Sequence, residues 1–136
     1  MNEFTSVLQK MRFMTLQIKE ELEKGNYLSD RILIFRSEFN ALCWQFLQLL
    51  LSKNGATQNK RTIRQLQEDF LEMHQVVVRH QQQWLHTRAL ADSEGYLASS
   101  RLITVRILRF IDNAVRKIDA AAQGELPPVS PSIEGA

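Results

Sequence analysis

Imidazoles, carboxylates and one thiol are the side chains here that could hold a metal or attack an electrophile, so their spacing decides which chemistry is open. Helical bundles that bind two metals carry a Glu-x-x-His pair on each of two helices, which stacks both ligands on one face. This chain has no such pair. Glu72 and His74 lie two positions apart and point in different directions, and His74, His80 and His86 recur every six residues, which spreads them around a helix. There is no Cys-x-x-Cys-His stretch for haem attachment, no glycine-rich phosphate loop, no Gly-x-Ser-x-Gly elbow and no His-Glu-x-x-His pair. The single cysteine, Cys43, sits among Leu42, Trp44 and Phe46, where burial raises a thiol's pKa and makes it inert, so it reads as core filler. His74, beside an apolar stripe, reads as a hydrogen-bonded histidine at the edge of the core. No metal, cofactor or small-molecule substrate is expected.

One catalytic pattern remains. Arg79-His80-Gln81-Gln82-Gln83-Trp84-Leu85-His86 has an arginine, a polar residue directly after it and a histidine seven positions on, which on one helix places Arg79 and His86 on a shared face, nearly two turns apart. The stretch resembles the short Arg-polar-x(n)-His signature of the HEPN ribonucleases, a family of small all-helical domains, over eight of the 136 residues. The resemblance implies metal-independent RNA cleavage, with His86 as general acid or base, Arg79 steadying the phosphate, and two copies meeting across a dimer. The alternative for the same residues is the solvated face of a long helix.

The elements that would position these groups follow from composition and periodicity. The 136 residues fit one domain; 44% are hydrophobic and 24% charged, as in ordinary globular domains, and only 5 Gly and 3 Pro are present. Phe4, Leu8, Met11, Met14, Ile18 and Leu22 recur at helical spacing, and Gly25-Asn26 closes that first helix. Ser29 caps a second, with Asp30 in its first turn. After a loop through Gly55, Thr57 or Asn59 caps a third that carries Ile63, Leu66, Phe70, Met73, Val77 and Trp84 and meets no Gly or Pro before Gly95. Leu108, Ile111, Val115 and Ile118 mark a fourth. The expected fold is all-α, an up-down-up-down antiparallel four-helix bundle over 1–123 with helices at about 3–24, 29–53, 59–90 and 95–122, and a flexible tail over 124–136. The apolar cluster from Phe46 to Leu51 is far short of the ~20 residues that span a bilayer, the N-terminus lacks the basic and apolar regions of a secretory signal, and a lone cysteine suits a reducing compartment. No membrane association and a cytoplasmic location are expected.

Two surfaces exceed what a core needs. The second helix has a full core face in Leu28, Ile32, Phe35, Phe39, Leu42, Phe46 and Leu50, and then a second apolar stripe, Leu33, Trp44, Leu47 and Leu51, at least about 100° away. Either neighbouring helices cover both stripes, or the second is a partner surface with Trp44 as its aromatic anchor. The last helix sets Arg101, Arg106, Arg109, Arg116 and Lys117 opposite its apolar half, with Asp112 and Asp119 among them, and Lys60, Arg61 and Arg64 add to the basic surface. The net charge is only +2, so this basic face reads as solvated, or else as a contact for RNA or an acidic partner. Pro128-Val-Ser-Pro131 has the Pro-x-x-Pro spacing of extended recognition segments. The preferred expectation is a non-catalytic interaction module, a small adaptor, regulator or chaperone-like bundle that forms a homodimer or binds another protein through the second helix. The ribonuclease and the basic-face binder are the alternatives.

Overall fold

In a computed structural model of the chain, residues 2–27, 29–52 and 59–123 are described. They form α1 (Asn2–Glu23), α2 (Asp30–Ser52), α3 (Lys60–Gln83), α4 (His86–Ala91) and α5 (Ser93–Ala122), with no strand among them. The fold is all-α, and no helix among the described residues is long and apolar enough to cross a membrane. The expected tail over 124–136, with its Pro128 to Pro131 spacing, lies outside the described residues, as do Leu28, Gly55 and the proposed cap Thr57.

Local chemistry sets several of the helix ends. At the end of α1, Gly25 takes a positive φ of 85°, which costs a residue without Cβ nothing. The amide of Gly25 then donates to the Leu22 carbonyl and that of Asn26 to the Glu21 carbonyl, the paired closure of a Schellman motif. Ser29 caps α2 as expected, its Oγ accepting from the Ile32 amide at 3.2 Å.

The expected helix over 59–90 is two helices. α3 stops at Gln83, Trp84 leaves the helical region at φ −109° and ψ 64°, and extended Leu85 leads into α4. Neither Gly nor Pro causes the break. Trp84 and Ala89 are both buried in a cluster with Leu22, Ile32 and Tyr96, and one straight helix cannot turn both toward that cluster. Gly95 also has a different place from the expected one. It lies in the first turn of α5, where its amide donates to the Asp92 cap at 3.0 Å, and a Cβ there would come within 2.3 Å of the Asp92 carboxylate. Asp92→Ala is expected to cost about 1 kcal/mol in denaturant unfolding, the usual worth of such a cap.

Pairs of residues at opposite ends fix how the long helices run. Phe4 meets Phe46 and Glu21 meets Arg31, so α1 and α2 are antiparallel. Arg12 pairs with Asp112 and Glu23 with Arg101, which sets α5 antiparallel to α1, while Asp69 with Lys117 and His80 with Ser100 do the same for α3 and α5. The main core lies inside these four helices. Phe46 is its hub, with ring centroids 5.7, 5.5 and 5.8 Å from Phe4, Phe70 and Phe110, one aromatic on each neighbouring helix.

Candidate functional site

The second apolar stripe of α2 faces out. Leu33, Ile34, Trp44 and Leu51 are 55–61% exposed, whereas Leu47 is half-buried and packs against the main core, so the expected stripe of four divides into three free residues and one anchored one. Ser37, Asn40, Ala41, Gln45 and Gln48 complete the exposed face, and from Leu33 to Ser52 its one exposed charge is Glu38. Depletion of charge around an aromatic anchor is what distinguishes interface cores from ordinary surface. Alongside runs an open groove of about 750 Å³, with Glu3, Ser6 and Val7 of α1 on one side and Trp44, Gln48 and Leu49 on the other.

The basic face of α5 is partly neutralised within the chain. Arg101 makes two bonds of 2.8 Å to the Glu23 carboxylate, Lys117 sits 2.5 Å from Asp69, and Arg116 donates to the Asn113 side chain. The Arg101 bond and charge hold the Glu23 carboxyl below its ordinary range. Arg106 and Arg109 have no ion-pair partner among the described residues, but they share a groove of about 230 Å³ with Asp69 and Glu72. Lys117 also lines this groove, so three cations face two carboxylates there, and the Lys117–Asp69 pair leaves Glu72 facing the two arginines.

Arg79 is exposed near the end of α3, and His86 opens α4 beyond the break at Trp84 and Leu85. The continuous two-turn helix that would set them on one face is therefore interrupted. The side chain of His86 lies outside the described residues. Among the described residues no group of three or more His, Cys, Asp and Glu side chains is placed to hold a metal. His74 stacks on Phe70, with centroids 5.4 Å apart.

Cys43 is buried in the main core, and burial pushes its thiol up to about 12. A thiol so rarely ionised is a poor nucleophile. A thiol-exchange reagent at neutral pH is expected to leave native Cys43 unmodified and to react in full once denaturant unfolds the chain; rapid reaction of the native protein would contradict this burial.

A polar cluster at the Tyr96 end of the bundle has no counterpart among the motifs of the sequence. Tyr96 is fully buried, with the His80 ring stacked on it at 5.9 Å and Trp84 at 5.7 Å. The Arg36 guanidinium reaches over from α2 and donates to the Tyr96 hydroxyl. His80 has Ser99 Oγ at 2.9 Å from Nδ1 and Ser100 Oγ at 3.4 Å from Nε2, so both ring nitrogens face hydroxyls. Burial, with the positive charge of Arg36 beside it, holds the His80 pKa down at about 4 and keeps the ring neutral at pH 7. Burial likewise lowers the Arg36 pKa from its ordinary value. One signal was present in the sequence: Arg36 falls between Phe35 and Phe39, on the long helix with the fewest charges. No known family, curated protein or solved structure matches this chain, so the reading of its function rests on its own residues.

Proposed function

We propose that this protein is a non-catalytic interaction module, an up-down-up-down bundle of four long helices that self-associates through the outer face of α2. The observation that carries this reading is the exposure of Leu33, Ile34, Trp44 and Leu51 along one helix face with a single charge at its edge. Such a surface costs solubility unless something covers it. A second copy suits it best. Leu33, Ser37, Asn40, Trp44, Leu47 and Leu51 follow alternating steps of four and three, the spacing of a coiled-coil seam.

In an antiparallel α2 pair about a two-fold axis near residue 42, Leu33 faces Leu51 of its twin, Ser37 faces Leu47 and Asn40 faces Trp44. A two-fold interface places the same patch on both sides, so a charged patch would repel itself and an uncharged one does not. The Asn40 amide can accept from the indole N–H of Trp44 and fix the register, as buried polar seam residues do. One helix pair buries an area at the small end of specific interfaces, so a dissociation constant on the order of micromolar is expected.

The test is a double substitution, Trp44→Glu with Leu51→Glu, followed by sedimentation velocity and circular dichroism. Loss of the dimer with helicity and unfolding midpoint retained supports the proposal. Unchanged sedimentation would sink it, and collapse of the helical signal would mean that the face belongs to the folding core.

A further inference from the structure

Between α1, α2, α3 and α5 lies a half-enclosed cavity of about 50 Å³, walled by Thr15, Arg36, His80 and Ser100 on its polar side and by apolar residues including Phe39 and Ile107. A space of that size admits roughly three to five water-sized groups. Its distinguishing property is charge. Arg36 has no carboxylate within ion-pair distance among the described residues. Glu21, the buried carboxylate among those residues, is engaged by Arg31 at 3.6 Å and by the Asn26 amide at 3.1 Å. His80 is neutral and supplies no counter-charge. A half-buried guanidinium that bonds the Tyr96 hydroxyl but has no counter-charge is costly, and an anion beside it relieves that cost.

The remaining walls narrow the class of anion. Thr15 Oγ1 donates to the Met11 carbonyl at 2.8 Å and Thr104 Oγ1 to the Ser100 carbonyl at 2.9 Å, so these hydroxyl protons are spent on their own helices. The charged donors toward a guest are the N–H groups of Arg36, a fork that matches the two oxygens of a carboxylate, and the Ser100 hydroxyl and Gln81 amide also line the wall. Most of the lining is apolar, with Ile18, Leu22 and Val77 also present. A divalent tetrahedral oxyanion would bring two charges against one and no surface for these walls. A hydrated halide would leave them uncovered.

We propose that this cavity binds a short-chain monocarboxylate of formate to propionate size, its carboxylate paired with Arg36 and its alkyl end against Phe39 and Ile107. The test uses the intact chain at pH 7 and constant ionic strength, with sodium formate, acetate, propionate, chloride or sulfate as the varied salt. The carboxylates are expected to raise the unfolding midpoint by several degrees with saturation, because a ligand bound to the folded state alone stabilises it by mass action. Arg36→Met is expected to abolish that response while keeping the helical spectrum. Methyl-labelled acetate is expected to show a nuclear Overhauser contact with the Phe39 ring protons in the wild type, a readout that needs no variant to fold. Equal stabilisation by chloride, an undiminished acetate response in Arg36→Met, or no Phe39 contact at saturating acetate would each overturn the assignment.

Discussion

Phe46→Ala is expected to destabilise the protein by about 3–5 kcal/mol, while Trp44→Ala, two positions earlier on the same helix, is expected to stay within about 0.5 kcal/mol of wild type in dilute solution. Phe46 is fully buried and touches an aromatic ring on each of α1, α3 and α5, so its removal leaves a cavity that three helices must tolerate. Trp44 is 61% exposed, and its indole is covered only if a second molecule is present. Denaturant titrations below the dimerisation range isolate the monomer and make the comparison direct. Similar losses in the two variants would mean that the outer face of α2 contributes to the monomer core.

The second large effect is on pH dependence. His80 has a folded-state pKa of about 4 against an ordinary 6.5, because burial and the neighbouring Arg36 charge both disfavour the imidazolium. The unfolded chain then binds more protons than the folded one between these values, and stability rises with pH across that window. The contribution is fully present above about pH 6.5 and is lost as pH falls toward about 4. A tenfold difference in proton affinity between the two states corresponds to about 1.4 kcal/mol, so the loss is on the order of 2 kcal/mol after allowance for solvent screening. Between pH 6.5 and 5, above most carboxylate titrations, His80→Gln is expected to flatten the slope of stability against pH. Identical slopes for variant and wild type would place the acid sensitivity elsewhere.

Much of this architecture can be read from short stretches of sequence, because its causes are local. Ser29 before an apolar repeat and Gly25 after one mark real helix ends, since a cap and a positive φ depend on a few adjacent residues. The break at Trp84 is different in kind. Nothing within a turn of it disfavours a helix, and its cause is the pull of Trp84 and Ala89 toward Tyr96. Gly95 misled for a local reason: a glycine, a residue that ends many helices, here makes room for the Asp92 cap of the next.

The candidate surfaces were legible to different depths. The excess of apolar residues on α2 was visible as composition, but whether Leu33, Trp44 and Leu51 lie between helices or outside them depends on where α1 and α3 pack. Leu47 shows the limit of the pattern, since it shares the stripe's spacing yet rests on the core. Arg36, His80, Tyr96 and Ser100 come from three helices and have no common spacing, so their meeting point could not be read from any single repeat.

The central claim is that the charge-poor outer face of α2 holds two copies together. Light scattering coupled to size exclusion, run on the unmodified chain from sub-micromolar to several hundred micromolar, tests it most directly. The proposed interface predicts a mass rising with concentration from that of the 15.8 kDa chain to twice that value, with no higher species because the two-fold contact closes on itself. A mass that stays at one chain throughout the range would contradict it.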